Sequence, residues 1–255
     1  MRVVKIGGRA QGDPGITAVL HQAWSDSPNG VCIVHGGGDE VSSMQRALGR
    51  EAAFVGGRRV TSQSDLDLLR MVLSGVVNKR LVNALVAAGI PAVGLSGEDD
   101  ALIGAEVIDA ASLGLAGRPT AINVQLLRTL MEAGYVPVIS PVGYDATSGT
   151  GGALNVNGDD AAAAIAVSLR ADELLLIADV EGVRDAEGEI VQSLSIESAR
   201  DLITSGVAAG GMAAKLESAH IALLGGVDRV RICDLAGLVD SERGTFVTQS
   251  QGVVS

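Results

Sequence analysis

Two short runs of mostly β-branched residues, each followed by glycines, constrain the fold of this chain most. Residues 3–6 (VVKI) lead into glycines 7 and 8, and residues 31–35 (VCIVH) lead into residues 36–38 (GGG). Glycines at the carboxyl end of a strand expose backbone N–H groups that bind phosphate, and Lys5 adds a cation. Neither turn matches a GxxxxGK[ST] or GxGxxG nucleotide loop, and each alone is also an ordinary connection in an α/β protein. Together the two turns suggest a site for phosphoryl transfer.

Strand and helix patterns alternate along the chain, which predicts a mainly parallel sheet with helices on both faces. The clearest helical pattern is 64–88, where leucine and valine recur every three or four residues before Gly89 and Pro91. Residues 106–120 resemble a β-hairpin. The predicted strands lie near residues 3–6, 31–34, 92–95, 136–139, 173–177 and 229–233, and the predicted helices near residues 15–24, 39–48, 64–88, 122–133, 159–169, 196–204 and 212–224.

Chain length and one polar segment predict two lobes. A chain of 255 residues fits one large α/β domain or two tightly joined lobes. Residues 143–152 (GYDATSGTGG) are small and polar between two patterned halves, so we expect an N-terminal lobe over 1–150 and a C-terminal lobe over 151–255. With 47% hydrophobic but only 2% aromatic residues, the core must be aliphatic.

Charge and composition argue against several partners and locations. A net charge of −11 disfavours nucleic acid and anionic membranes, although lysines can still gather in a cleft. No apolar run reaches the ~20 residues that span a bilayer, and Lys5 interrupts the first apolar stretch, which argues against a signal peptide. We therefore expect a cytoplasmic protein. Cys32 and Cys233 lie in apolar, strand-like runs and are expected to be buried free thiols, and no metal site is predicted.

Four further segments combine charged or amide side chains with turns or helix starts. Arg58-Arg59 precede the long helix, where an arginine could hold a substrate carboxylate or simply be solvated. Residues 154–160 (LNVNGDD) carry more Asx side chains than a helix cap requires. Residues 177–183 (IADVEGV) place two carboxylates after a buried strand, where α/β sheets bind ligands. Lys215 lies near a helix start, where its charge opposes the helix dipole unless an anion is also bound.

Nine motifs in one order carry a resemblance to a known family. They are KIGG, VHGGG, RRVT, SGVVNKRLV, AVGLSGED, VPVISPVG, NVNGDDAA, ADVEGV and GGMAAK. Along residues 2–235 the chain resembles the amino acid kinase family, and within it the branch that acts on N-acetyl-L-glutamate. The resemblance implies a three-layer αβα sandwich with a mainly parallel open sheet, an acceptor-binding and dimerising N-terminal lobe, and an ATP-binding C-terminal lobe. It also implies ATP-dependent phosphorylation of the side-chain carboxylate of N-acetyl-L-glutamate, the second step of arginine biosynthesis.

The resemblance assigns roles to residues at matching positions. Two lysines that stabilise the transferring phosphoryl group and a carboxylate that orients them match Lys5, Lys215 and Asp159. Backbone donors to the phosphoryl group match Gly7, Gly8 and Gly37. Contacts to the acceptor match Gly37, Gly38, Arg59 and Asn155. Among these, Arg59 matches the arginine that holds the α-carboxylate of the acceptor. Contacts to ATP match Asp179, Val180, Glu181, Gly182, Val183, Arg184, Val207, Ala208 and Ala209, and Mg²⁺ is expected to be held mainly by the ATP phosphates.

A site without a general base fits a carboxylate acceptor. The transferring phosphoryl group carries charge on its equatorial oxygens, which lysines neutralise, and a carboxylate nucleophile is already ionised at neutral pH. The nearest alternative is a kinase of the same fold for carrier-linked or acetylated aminoadipate in lysine biosynthesis. The net charge of −11 speaks against an acidic carrier protein as a partner. A non-catalytic amino-acid or nucleotide sensor is a more distant alternative, disfavoured because Lys5, Asp159 and Lys215 occur together.

The long predicted helix also bears on assembly. Met71, Val72 and Val82 lie off the main apolar stripe of residues 64–88, and a symmetric partner is the simplest second cover for them. In the resembling kinases this helix lies in the dimer interface, so we expect a homodimer. The sequence starts directly at its first strand, whereas the arginine-inhibited hexamers of the family carry an N-terminal helix. We therefore expect no inhibition by arginine through that route.

Overall fold

An eight-stranded sheet organises the molecule. The computed structural model describes residues 1–149 and 151–249. The strands are β1 (Arg2–Ile6), β2 (Val31–His35), β3 (Phe54–Val55), β4 (Arg58–Arg59), β5 (Ala92–Ser96), β6 (Ile103–Val107), β7 (Ala116–Ile122), β8 (Val136–Ser140), β9 (Val142–Asp145), β10 (Ala153–Val156), β11 (Glu173–Ile177), β12 (Ser193–Ser195), β13 (Arg229–Cys233) and β14 (Thr245–Thr248). The α-helices are α1 (Ile16–Asp26), α2 (Gly38–Ala47), α3 (Gln63–Leu69), α4 (Asn78–Ala87), α5 (Ala110–Leu113), α6 (Val124–Glu132), α7 (Gly158–Leu169), α8 (Ile196–Thr204) and α9 (Gly211–Leu224). Short 3₁₀ turns lie at Ala10–Gly12, Asp99–Ala101 and Leu235–Leu238.

The six strands predicted from the sequence form the centre and one edge of this sheet. The order across it is β12-β14-β13-β11-β1-β2-β8-β5. All neighbours from β13 to β5 are parallel, and β14 pairs antiparallel with β13. The central strands are mostly apolar because helices cover both faces, as is usual for parallel sheets. The predicted α/β class is confirmed, while β12 and β14 were not predicted.

Alternate residues of β1 face two different helical layers. Val3 belongs to a core that also contains residues of α7 and α9, whereas Val4 and Ile6 belong to a core with residues of α1 and α4. Because successive side chains of a strand point to opposite faces, Lys5 lies on the same face as Val3. The strand therefore directs this lysine toward the two helices that carry the other predicted catalytic residues.

A small closed barrel of β10, β7, β6 and β9 packs against α7, which also covers β1, β2 and β11 of the main sheet. The hairpin predicted over residues 106–120 is present as the antiparallel pair β6–β7, with the short helix α5 between its strands. Strand β10 pairs with β7 and β9, which come earlier in the chain. Thr150, where the predicted lobe boundary falls, lies outside the described residues, and the division into lobes 1–150 and 151–255 stays a prediction.

The helix predicted over residues 64–88 is present but changes geometry in its middle. Between α3 and α4 the segment Arg70–Val77 is π-helical. Val72 is buried in a third core with α2 and the barrel, and Val82 packs against the core that contains α1. Met71 is 61% exposed. Of the three residues predicted to need a second cover, only Met71 is left uncovered by this chain.

The two cysteines are buried free thiols, as predicted. Burial raises the pKa of Cys32 and of Cys233 to about 12, so neither is a thiolate at neutral pH. Within residues 1–149 and 151–249, no helix has the length and apolar character needed to cross a membrane.

Candidate active site

Three buried charged side chains meet near the carboxyl end of β1. Lys5 Nζ lies 3.0 Å from Asp159 Oδ1, and Lys215 Nζ lies 3.3 Å from the same oxygen and 3.4 Å from Oδ2. All three residues are less than a tenth exposed. Lys5 comes from β1, Asp159 from the first turn of α7 and Lys215 from α9. The fold thus brings together three residues that are far apart in the sequence.

The start of α7 explains where Asp159 lies. The Asn157 side chain caps this helix and accepts hydrogen bonds from the backbone N–H groups of Asp159 at 2.8 Å and Asp160 at 3.4 Å. A Cβ at Gly158 would lie 3.2 Å from Lys5 Cε, so glycine at this position leaves room for the lysine. The positive end of the helix dipole favours the ionised form of Asp159.

Burial and like charges leave this cluster short of negative charge. Burial raises the pKa of the Asp159 carboxyl, but the charges of Lys5 and Lys215 outweigh burial and hold this pKa below its usual value. Burial, and then the charge of Lys5, lowers the pKa of Lys215 to about 8. Two ammonium groups share one carboxylate, so the cluster carries one excess positive charge away from bulk water. An anion bound beside the lysines would compensate it.

The two glycine turns lie against each other. The Gly36 N–H donates to the Ile6 carbonyl at 2.8 Å, which joins the ends of the parallel neighbours β1 and β2. A Cβ at Gly8 would lie 3.3 Å from Gly37 Cα. Gly37 itself has a φ of +154°, and a Cβ there would lie 2.6 Å from Leu73 Cδ2. Glycine is required at this position both for the backbone angle and for the packing of the long helix.

His35 anchors the second turn. Burial lowers the pKa of His35 to about 4, so the ring is neutral at physiological pH. Nδ1 lies 2.9 Å from the Gly36 carbonyl oxygen, and Nε2 lies 3.1 Å from the amide nitrogen of Asn78. Because the Asn78 amide also donates to the Val138 carbonyl at 2.8 Å, we assign Nδ1 as the donor to Gly36 and Nε2 as the acceptor. This buried imidazole holds backbone in place, and both of its ring nitrogens have partners within the protein.

Arg59 is fixed by α2 and by an aromatic ring. Its guanidinium donates to Gln45 Oε1, to the Gly38 carbonyl at 2.9 Å and to Ser42 Oγ at 2.8 Å. Its Cζ lies 4.8 Å from the centroid of the Phe54 ring, a cation–π contact. Burial lowers the pKa of Arg59, but guanidinium groups stay charged in proteins. Nη2 makes two of these bonds and Nη1 makes one, so the described contacts leave the Nε–H and one Nη1–H for a ligand.

Asn155 is connected to Arg59 through a buried threonine. Asn155 Nδ2 donates to Thr61 Oγ1 at 2.9 Å, and Thr61 Oγ1 donates to the Arg59 carbonyl at 3.0 Å. Thr61 is fully buried between β4 and the barrel strand that carries Asn155. The last residue of the RRVT motif therefore fixes the two side chains predicted to bind the acceptor relative to each other.

Two adjoining cavities contain these groups. We name the first the acceptor cavity; among the predicted residues it is lined by Gly37, Gly38, Arg59 and Asn155. We name the second the phosphoryl cleft; among the predicted residues it is lined by Lys5, Gly7, Gly8, Gly38, Asp159, Asp179, Val180 and Lys215. Gly38, the first residue of α2, lines both. The two cavities therefore meet at the start of α2.

The motifs and the fold have counterparts among known proteins. A sequence model of the amino acid kinase family matches residues 1–234. The chain belongs to the amino acid kinase family. Acetylglutamate kinase of Cereibacter sphaeroides is 44% identical over 238 residues, which cover 91% of this chain and 79% of that protein. Acetylglutamate kinase of Paracoccus denitrificans is 45% identical over 238 residues, 91% of this chain and 76% of that protein. A solved structure from Streptococcus mutans superposes with a TM-score of 0.88 at 30% identity and covers 98% of both chains.

Within this family member, the residues predicted to bind ATP fall into separate places. Asp179 and Val180 line the phosphoryl cleft. The residues that follow them make contacts within the chain. Glu181 forms an ion pair with Arg243, and Arg184 donates to the Gly188 carbonyl at 2.6 Å. The Val183 N–H donates to Thr245 Oγ1 at 2.8 Å, and Gly182 packs against the same threonine. Ala208 and Ala209 line a third cavity between α8, α9 and the β3–β4 hairpin, and Val207 is 41% exposed. The nucleotide role of all these residues stays a prediction.

The sequence did not reveal the groups that surround the predicted residues. Arg9 crosses the mouth of the phosphoryl cleft, with Nη1 2.7 Å from Asp179 Oδ2 and Nε 3.2 Å from Asp39 Oδ2. The position of Arg9 directly after the first glycine pair could have indicated that it lies at the site. Ser42 and Gln45, which hold Arg59, lie three residues apart on α2, and polar residues at helical spacing could have indicated a buried partner.

Proposed function

We propose that this chain transfers the γ-phosphoryl group of ATP to the side-chain carboxylate of N-acetyl-L-glutamate in the cytoplasm. The product is N-acetyl-L-glutamyl 5-phosphate, and the reaction is the second step of arginine biosynthesis. One observation carries the proposal: Lys5 and Lys215 converge on Asp159 where the acceptor cavity adjoins the phosphoryl cleft. The names of the relatives at 44% and 45% identity support the acceptor.

The chemistry needs positioning and charge more than proton transfer. A carboxylate oxygen of the acceptor attacks the γ-phosphorus, the bond to the ADP oxygen breaks, and ADP leaves with the electron pair. Lys5 and Lys215 neutralise the charge on the transferring oxygens, and Asp159 keeps both ammonium groups pointed at them. The carboxylate is ionised at neutral pH, so the site needs no base, which agrees with the neutral, buried His35.

We propose that Mg²⁺ is held mainly by the ATP phosphates. The Asp159 carboxylate is the acidic group nearest to both catalytic lysines. Lys5 and Lys215 already contact Asp159, so its carboxylate is engaged by ammonium groups. Mg²⁺ held by the phosphates neutralises part of their charge, while Lys5 and Lys215 supply the remainder from the protein.

Arg59 and Asn155 suit an acceptor that carries a carboxylate and an amide. The free guanidinium donors of Arg59 would bind the α-carboxylate, and Asn155 would face the acetamido group from the neighbouring strand. Backbone N–H groups of the second glycine turn would hold the reacting carboxylate next to the phosphoryl cleft. The three contacts together define a small acidic acceptor with two anionic ends.

The test is a side-by-side turnover assay with Mg-ATP and hydroxylamine, which converts the acyl phosphate to a coloured hydroxamate. The acceptors are N-acetyl-L-glutamate, N-acetyl-L-aminoadipate, L-glutamate and L-aspartate. We expect kcat/KM for N-acetyl-L-glutamate to exceed the others by at least tenfold, because one methylene is worth roughly 10–200-fold in a fitted site. A preference for the aminoadipate derivative would assign the enzyme to the longer acceptor, and no turnover of any acceptor would support a sensor.

We further propose a homodimer that pairs the long helix. Met71 and Val76 are 61% and 54% exposed on its π-helical segment, although both are apolar. A symmetric partner would cover them. Light scattering of the purified protein should give twice the chain mass of 25.8 kDa. The chain mass itself, measured at micromolar concentration, would contradict the dimer.

A further inference from the structure

Asp160, the residue after Asp159, forms a second ion pair. Arg58 Nη1 lies 2.6 Å from Asp160 Oδ2, and the Arg58 and Asp160 side chains are 29% and 9% exposed. The other carboxylate oxygen of Asp160 accepts a hydrogen bond from Ser218 Oγ at 2.9 Å. Arg58 and Asp160 belong to the RRVT and NVNGDDAA motifs, but the resemblance assigns no role to either residue or to Ser218, and the phosphoryl chemistry described above does not use them.

Each member of this triad is next to a residue of the candidate active site. Arg58 precedes Arg59 on β4, Asp160 follows Asp159 on α7, and Ser218 lies one helical turn after Lys215 on α9. Asp159 thus contacts β1 and α9, while Asp160 contacts β4 and the same helix α9. The first turn of α7 therefore ties the nucleotide side of the molecule to the hairpin that presents the acceptor-binding arginine.

Apart from the bonds of Arg59 to α2, the hairpin has little support of its own. Strands β3 and β4 have two residues each, and Phe54 and Val55 are more than 45% exposed. An isolated two-stranded hairpin is at best marginally stable in water. Arg58 also lies in the wall between the acceptor cavity and the third cavity, since it lines both. If Arg58 were released, the bonds of Arg59 to α2 would hold the hairpin on one side only, and Arg59 could shift relative to α7.

We propose that Arg58 is a positioning residue: its ion pair with Asp160 holds the β3–β4 hairpin on α7, so that Arg59 sets the acceptor in line with the phosphoryl group. The inference rests on the proposed function, whose acceptor assignment it deepens. The Asp160 carboxylate is bonded through both of its oxygens, to Arg58 and to Ser218. Leaving one charge of a pair with so little exposure unpaired is costly, so the pair favours one position of the hairpin on α7.

The decisive variants are Arg58→Met with Asp160→Asn, as singles and combined. The combined variant removes both charges and leaves no buried charge unpaired, so it is the one least prone to misfold. We expect it to raise the KM for N-acetyl-L-glutamate about tenfold while the KM for ATP stays within twofold. Arg58→Lys keeps the charge and should recover part of the loss. The control is Arg118→Met, which breaks the exposed pair of Arg118 with Glu106 on β6–β7 and should leave both KM values unchanged.

A second measurement separates this inference from the proposed function. Hydrogen exchange of the backbone over residues 54–60, in the absence of substrates, should be at least tenfold faster in the combined variant than in the wild type or Arg118→Met. Faster exchange supports the tether whichever acceptor the wild type uses. Unchanged exchange in the combined variant would overturn the inference. If the wild type phosphorylates N-acetyl-L-glutamate, an unchanged acceptor KM in the combined variant would overturn it as well. A lower melting temperature with both KM values intact would reduce Arg58 to a structural role and overturn it equally.

Discussion

The acceptor cavity and the phosphoryl cleft differ in how completely their charges are paired. In the acceptor cavity, Arg59 donates to three protein groups and stacks on Phe54. In the buried part of the phosphoryl cleft, Lys5 and Lys215 share the single carboxylate of Asp159, while the more exposed Asp39 and Asp179 pair with Arg9. The acceptor side is therefore organised before any ligand binds, whereas under the proposed function the phosphoryl side would be completed by a bound anion.

This difference indicates where each side contributes to the reaction. A preformed acceptor cavity recognises a ground-state molecule, so its residues should act mainly on the acceptor KM. An unpaired, buried positive charge is stabilised most when negative charge accumulates beside it, which happens in the transition state. The lysines should therefore act mainly on kcat. Each substitution below tests one side of this contrast.

The largest effect is expected on the phosphoryl side, for Lys5→Ala and Lys215→Ala. Either change should lower kcat by roughly 10²–10³-fold, about 2.7–4 kcal/mol for one preorganised group, with little change in either KM. Steady-state kinetics measure this directly. Because each variant leaves a balanced pair of one lysine and Asp159, its melting temperature should not fall below that of the wild type. A Lys215→Ala enzyme with unaltered kcat would remove this residue from the site.

A smaller effect of the opposite kind is expected on the acceptor side, for Arg59→Lys. The change keeps the charge but loses the planar fork and the bonds to α2, at a cost of about 1.5–3 kcal/mol for a hydrogen bond to a charged group. The KM for N-acetyl-L-glutamate should rise at least tenfold, and the KM for ATP should stay near its starting value. Arg80→Lys, on the exposed pair with Glu40, is the matched control. Equal effects on both substrates would break the contrast between the two sides.

Local pattern in the sequence was sufficient for one part of this site. The apolar run of residues 3–6 predicted a strand that contains Lys5 near its end. In the structure, the apolar side chains of this strand enter two cores in turn. The glycine turns after β1 and β2 follow from the same strands, because parallel neighbours end at one edge. The convergence of Lys5, Asp159 and Lys215 agrees with the roles that the resemblance assigned to them.

Contacts between distant segments could not be read from local pattern. The pair Arg58–Asp160 joins residues 102 positions apart, and the pair Arg9–Asp179 joins residues 170 positions apart. Strands β9 and β10 have four residues each, too few to show an alternating pattern, and the barrel was missed for this reason. The π-helical segment has the same apolar periodicity as a helix, so the sequence predicted one continuous α-helix there.

Gly37 lies between the two sides, and Gly37→Ala tests whether packing against the long helix restricts this position. A Cβ would lie 2.6 Å from Leu73 Cδ2, and alanine would have to adopt the strained φ of +154° that Gly37 has. Together these should lower the free energy of unfolding by about 1–3 kcal/mol. The control is Gly49→Ala, where φ is +72° but no atom lies within 4 Å. Chemical denaturation of both variants separates backbone strain from packing. Equal losses of stability in the two would show that contact with the long helix does not restrict Gly37.

The smallest effect is a pH dependence that belongs to the phosphoryl side alone. The pKa of Lys215 is lowered to about 8, and only its protonated form neutralises phosphate. In the free enzyme, kcat/KM for ATP should therefore be level below pH 7, fall to half at about pH 8 and decrease tenfold per unit above it. Bound phosphate raises this pKa, so the corresponding fall in kcat should begin at higher pH. Lys215→Arg should lose the fall in both profiles, since arginine stays charged throughout this range.

Stability should show the reverse trend with pH. The folded pKa of Lys215 lies below its unfolded value of about 10.5, so between pH 8 and 10.5 the unfolded chain binds more protons than the folded one. The difference in unfolding free energy between wild type and Lys215→Ala should therefore shift in favour of the wild type as pH rises through this window. Below pH 8 the lysine is charged in both states, and the difference should be constant. The protein would thus gain stability over the same range in which it loses activity, and Arg59→Lys, on the acceptor side, should change neither profile. A wild-type kcat/KM for ATP that stays level to pH 9.5 would show that the excess charge is paired within the protein, and the contrast between the two sides would be lost.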